Sequence, residues 1–400
     1  MGSRQRVRKR PMSVLVSAGP QGAWAWAGLR LEPEPAISEN GARIGLPEAQ
    51  RRIEAASLEQ VWLSQHWRPD GRSFEIRYAK APAGGVSCTL LCRMYGADAA
   101  SASAASLALR DGLAVAPRHV HAEPIEDIGE LREALVPLEG SPGGLAEVRK
   151  RLTWAWLSRR DTDFPLGVAV SPLVGEAVSW EPVWDALASQ EGPTMIGVCL
   201  EPYAPPQDLL SYLGFLAREY GRLSLPGQPN PVFQRYVAPD PFALRAAPLY
   251  QEALRTLSGR VYRIRISLAA AGAVPLHLAE LLAATVSPLT ATLEGGAVAR
   301  AVPAQESVAA WANVTGLHRT WLDATCRQDV PQPLGEREKV LADLVDLPQA
   351  SAAFRFPYEI PGRPALFTTR PRADTAPDRL ATAPLQGDPH APTFQIGDPS

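Results

Sequence analysis

Apolar and polar positions along the chain switch between a period of two and a period near three and a half, and these periods divide it into strands and helices. After MSVLVSA, the stretch GAWAWAGLRLEP alternates around Trp24 and Trp26 and reads as a strand. From Pro47, PEAQRRIEAASLEQVWLSQHW places Ile53, Leu58, Val61 and Leu63 at helical spacing. Pro69-Asp70-Gly71 is a turn signal. FEIRYAKA then alternates Phe74, Ile76 and Tyr78 with Glu75 and Arg77, the pattern of a half-buried strand. Ala83-Gly84-Gly85 turns it onto an antiparallel partner, VSCTLLCRMYG. ADAASASAASLALRDGL predicts a helix of small residues, able to lie close on the sheet, and a short strand near His119 to His121 completes the unit.

Beyond a linker containing Pro137 and Ser141-Pro142-Gly143-Gly144, the segment AEVRKRLTWAWLSRRD, 146–161, reads as a helix or a helix–strand junction. GVAVSPLVG predicts a strand, EPVWDALASQ a helix, and GPTMIGVCLEPY a buried strand. A helix follows within 204–223, with Asp208 near its start, where backbone amides favour a negative group. DPFALRAAPLYQEALRTLSG and VPLHLAELLAATVSPL are helices flanking the strand RVYRIRISLAAAG, in which Tyr262, Ile264 and Ile266 share a face. FEIRYAKA and YRIRISLA are alike in character, which suggests a degenerate internal duplication. The fold class expected is α+β: repeated ferredoxin-like units, antiparallel sheet plus helices, with a disordered C-terminal tail. The expected divisions are a basic, disordered leader (1–12), three α+β units (13–136, 145–230 and 231–347), a connector (348–367) and the tail (368–400).

Composition narrows the chemistry. With 400 residues, 46% hydrophobic, the chain can build real cores, and a net charge of −2 provides no global field for nucleic acid. Of forty basic residues only Lys9, Lys80, Lys150 and Lys339 are lysine, a skew that matches a GC-rich coding bias. Cys88, Cys92, Cys199 and Cys326 are too scattered for a disulfide scaffold, and neither they nor His119 and His121 form a recognisable metal spacing. No run reaches the length of a membrane span and no signal peptide is evident, so a cytoplasmic location is expected. No cofactor is expected.

Three passages carry a family signal: FEIRYAKAP with the hairpin and small-residue helix after it, WDALASQEGPTMIGVCLEPY, and ASAAFRFPYEIPG. Together they span about residues 74–362, and the chain resembles the region that precedes the motor in bacterial HerA/FtsK-like and conjugation-type ATP-binding proteins. Leu344 to Phe367 is similar to the entrance to that motor. The motor's phosphate loop needs G-x-x-x-x-G-K-[ST], and no lysine here follows a glycine. The resemblance implies a non-catalytic adaptor or scaffold working with a separately encoded, hexameric ATPase in DNA translocation, bacterial defence or secretion.

Interface candidates follow from residue type. Arg149, Arg151, Arg159 and Arg160 bracket Trp154 and Trp156, a pattern suited to a protein-docking edge or to a nucleic-acid backbone. Phe354, Arg355 and Phe356 form the aromatic part of the connector. The alternatives to an adaptor are an enzyme with a site near residues 311–326, around Trp321, Asp323 and Cys326, and an arginine-mediated nucleic-acid-binding protein.

Overall fold

A computed structural model describes residues 13–34, 47–82, 84–227, 236–289, 295–359 and 364–369. The expected leader and all but the first two residues of the expected tail lie outside them. The described residues form a mixed α/β fold around one large sheet.

The strands are β1 (Leu15–Gly19), β2 (Gly22–Pro33), β3 (Ser73–Lys80), β4 (Val86–Gly96), β5 (Val120–Pro124), β6 (Leu145–Lys150), β7 (Leu152–Trp156), β8 (Leu166–Val170), β9 (Thr194–Tyr203), β10 (Val261–Ala270), β11 (Ala297–Ala301) and β12 (Leu344–Asp346). The helices that matter here are α1 (Glu48–His66), α2 (Ala99–Leu113), α3 (Ile128–Leu135), α4 (Glu181–Ala188), α5 (Gln207–Leu223), α6 (Pro241–Thr256), α7 (Leu276–Thr285), α8 (Ser307–Gly316), α9 (Asp323–Cys326), α10 (Glu336–Asp343) and α11 (Leu347–Ala353).

The main sheet runs β1-β2-β4-β3-β9-β10-β6-β11, with β5 also on β2 and β12 on β10. Its named strand pairs are all antiparallel. Two runs of the same plan meet at its centre. In the first, β2-α1-β3-β4-α2-β5 folds into the spatial order β5-β2-β4-β3; in the second, β6-α4-β9-β10-α7-β11 folds into β11-β6-β10-β9. The second run draws on both the 145–230 and the 231–347 stretches. The two runs join through β3 and β9, with Ile76 opposite Val198. By topology β3 corresponds to β9 and β4 to β10. The likeness of FEIR to YRIR therefore does not mark corresponding strands; it reflects a shared need for one apolar and one charged face.

Two insertions interrupt the second run. The β7–β8 hairpin follows β6, and the α5–α6 helix pair connects β9 to β10. Segment 146–161, expected as a helix or helix–strand junction, is thus two strands. Residues 145–150 are all buried, so their charges pair inside the protein instead of facing water.

One face of the sheet carries the main apolar core. Phe74, Ile76, Tyr78, Leu90, Ile196, Val198, Tyr262 and Ile266 pack there with Trp62, Trp180, Trp184 and residues of α7. As its small side chains suggest, α2 lies close to β2: Ala102 packs with Ala23 and Ala25, and a Cβ at Gly96 would fall 2.3 Å from the Ala102 nitrogen. Asp98 caps this helix by accepting from the Ser101 amide at 2.7 Å. The connector is part of the same core. Phe354 and Phe356 are fully buried, with ring centroids 6.2 and 4.9 Å from Trp62. Arg355 is buried 3.2 Å from Glu59, which also meets His119 at 3.0 Å. The chain then reaches β4, where the Val86 amide donates to Leu366 at 2.9 Å and the Thr368 amide to Val86 at 3.0 Å.

Candidate functional site

The opposite face of the sheet is charged and also buried. Glu75 accepts from Arg77 Nε at 2.6 Å and from Arg265 at 2.5 Å, and all three side chains are almost fully covered. Gly197 makes the space: a Cβ there would sit 2.6 Å from Glu75 Oε1. The remaining Arg77 donors reach the carbonyls of Ala134, Leu135 and Val314 at 2.8, 2.7 and 2.5 Å. Arg149 pairs with Asp343 and lies 3.5 Å from Glu147, while Arg263 meets Asp343 at 3.2 Å. Arg319 pairs with Glu201. Arg265 stays within the sheet, whereas Arg77, Arg149, Arg263 and Arg319 join it to α3, α8, α10 or the segment after α8, the planar fork satisfying several acceptors at once.

Residues 311–326 are the cover over this face. Trp26 donates to the Gly316 carbonyl at 3.1 Å, and Arg93 lies 4.1 Å over the Trp24 ring while donating to His318 Nδ1. Burial, and then the positive charge of Arg93, push His318 down to about 4. Cys326 is buried 3.9 Å from Glu147, and burial raises its thiol to about 12 despite nearby Arg149. It is a protonated packing residue at neutral pH, not an activated nucleophile. Cys88, Cys92 and Cys199 are likewise buried, with their thiols raised by burial. Among the described residues no group of three or more His, Cys, Asp or Glu side chains could hold a metal ion.

The interface candidates separate into two sets. Arg149, Arg159, Phe354, Arg355 and Phe356 are buried. Arg159 is held by Asp161, with contacts of 2.7 and 2.6 Å, and by the Leu225 carbonyl at 2.9 Å. These five are structural and offer nothing to a partner in this fold. Arg151 is half-buried beside the Gly295 carbonyl, and Arg160, Trp154 and Trp156 are exposed. A continuous arginine stripe does not form, because two of its four members are consumed internally.

What remains at the surface is the β7–β8 hairpin, and its two faces are unequal. Trp154 stands opposite Val168, and Trp156 opposite Leu166, on one face; Ala155 opposite Gly167 and Thr153 opposite Ala169 form the other. The small-residue face lies against α5 and α6, so closely that a Cβ on Gly167 would come within 2.6 Å of the Phe242 ring. The large-residue face leaves Trp154 36% and Trp156 57% exposed, with Phe164 45% exposed in the connecting turn. The rest of that face is covered, because Leu152, Leu166, Val168 and Val170 pack with Val330, Leu334 and Ala342, so the exposure concentrates on the tryptophans.

The hairpin is fixed in place. Tyr220 exchanges hydrogen bonds with the Val168 amide and carbonyl at 3.1 and 3.2 Å, and Tyr250 donates to that carbonyl at 2.8 Å. Beyond the tryptophans, the Ser158 amide and hydroxyl donate to Asp240 at 2.6 and 2.7 Å, while Asp240 also caps α6. Its carboxyl is held below the usual range: burial opposes this, but hydrogen bonds from Ala243 and Ser158 win. The sequence signalled the alternation of tryptophan and alanine but not which side would be covered, because the covering helices lie more than fifty residues downstream.

The chain matches neither any model of a known protein family nor any curated protein. Among the described residues no helix is long and apolar enough to cross a membrane.

Proposed function

We propose that this chain is a non-catalytic adaptor built from two fused ferredoxin-like units, which docks a protein partner through the tryptophan face of the β7–β8 hairpin. The observation that carries the reading is the exposed tryptophan pair of the hairpin. Its small side chains lie against α5 and α6, and on the other face, beyond the part covered by Val330 and Leu334, Trp154 and Trp156 stay partly exposed on a backbone already held by Tyr220, Tyr250 and Asp240. Tryptophan gives large contact area with little entropy lost on binding, and a pre-ordered strand pair lowers the cost further. The ferredoxin-like assignment rests on the βαββαβ order of each run and on the spatial order, in which the first strand lies between the third and fourth.

The partner we favour is a HerA/FtsK-like ATPase encoded separately, in DNA translocation, defence or secretion. That choice rests on the passages similar to the pre-motor region. Affinity capture from native cells, with the wild-type chain and the double variant Trp154→Ser/Trp156→Ser, tests it. A ring-forming ATPase should be retained by the former and lost by the latter. Recovery of no ATPase or secretion component overturns the partner; equal recovery by both chains overturns the hairpin as the docking element.

A further inference from the structure

A cavity among the described residues, lined in part by Val170 at the end of β8, has its own chemistry. It is a cleft of about 840 Å³, within the range of small-molecule sites, between the start of α11, the last turns of α6 and the segment after β8. Its walls are mostly apolar, with Val170, Leu173, Leu213, Leu249, Leu257 and Leu341 facing the space. Lys150, at the end of β6, lines it too.

Lys150 is only 7% exposed, and its ammonium donates to the Leu344 carbonyl. Among the described residues it has no carboxylate within ion-pair distance. Asp343 is occupied by Arg149 and Arg263, and Asp346 caps α11 by accepting from the Gln349 amide at 2.9 Å. Asp346 also lines the cleft, and the other charges there are exposed: Arg255 and Glu252, which pair, Arg260, which meets Ser64, and Glu176. A buried cation with one neutral partner is expensive to maintain, and the usual remedy is an anion in contact. Burial pushes Lys150 down to about 8, opposed by Asp346 and Asp343, so the amine remains largely charged at neutral pH.

We propose that this cleft binds a small monocarboxylate with an apolar body, its carboxylate paired with the Lys150 ammonium and its hydrocarbon part between α5, α6 and α10. A medium-chain fatty acid has both features. The acid supplies a contact ion pair, which neither Asp343 nor Asp346 makes with Lys150, and the leucine walls supply the burial.

Calorimetric titration of the full chain with dodecanoate, and separately with dodecanol, tests the assignment. Dodecanoate should bind saturably and at least about tenfold more tightly than the alcohol. Its affinity should fall by about tenfold between about pH 7 and about pH 9.5, as the amine loses its proton while the ligand stays ionised. Lys150→Met should abolish the preference for the acid. Absence of saturable dodecanoate binding, or equal affinity for acid and alcohol, overturns the proposal. The acid–alcohol and pH comparisons need no variant, so they decide the matter even where Lys150→Met does not fold.

Discussion

The two faces of the central sheet are equally buried and chemically opposite. On one, Phe74, Ile76 and Tyr78 meet Trp62, Phe354 and Trp184; on the other, one residue away along the same strand, Glu75 and Arg77 meet Arg265 and the carbonyls of α3 and α8. The first face is held by surface removed from water and tolerates any well-shaped apolar filling. The second is held by directional bonds, each of which fails if a partner is missing. The apolar face therefore supplies stability, and the charged face fixes the position of the cover formed by residues 311–326.

The largest effects should come from breaking either face at its centre. Phe354→Ala should cost about 3–5 kcal/mol through the cavity it leaves. Glu75→Ala should cost a similar amount, about 3–5 kcal/mol, by stranding two buried guanidinium groups. Denaturant unfolding measures both. What separates the faces is coupling: Glu75→Met combined with Arg265→Met should cost less than the sum of the single changes by about 1–3 kcal/mol. Simple additivity would show that the charged face is not an interdependent network.

A smaller effect is expected at the edge of the charged face. His318 has a folded value of about 4, below its ordinary 6.5. As pH falls through that interval the unfolded chain takes up the proton before the folded one does. Stability is therefore fully present above about pH 6.5 and declines toward about pH 4. His318→Gln should flatten this part of the pH–stability profile; an unchanged slope would place the titration elsewhere. The smallest effect on folding belongs to the hairpin. Trp156→Ser should change stability by no more than about 0.5 kcal/mol, since that ring is 57% exposed, and the 36% exposed Trp154→Ser by somewhat more, about 1 kcal/mol. A cost of several kcal/mol would mean that the tryptophans belong to the fold and not to a partner.

The comparison also explains what was legible in the sequence. Alternation in FEIR showed which residues share a face, so the strand and its hairpin with β4 were readable. It could not show that the charged face would be covered too, because the cover comes from Val314 and Gly316, more than two hundred residues later. The same blindness made β6 look helical: its charges sit in mid-strand, and their partner, Asp343, is equally distant. Arg159 carried a local clue, since Asp161 follows two residues on and pairs with it. Lys150 carried another. In a chain that uses arginine almost everywhere, including the buried ion pairs around it, one lysine among Arg149 and Arg151 marks a position where the broad guanidinium fork is not used.

The return of the chain to the core at residues 354–358 and 366–368 sets when that core can be completed. Phe354, Phe356 and Phe367 complete the core around Trp62, Tyr78 and Trp184, and Leu366 and Thr368 add hydrogen bonds to Val86. A ribosome adding about 5–20 residues per second delivers those phenylalanines more than ten seconds after the strands they cover. Throughout that interval the first half exposes an unfinished aromatic surface. A fragment ending after β5 would leave Phe74, Tyr78 and Val86 without Phe354, Phe367 and Leu366.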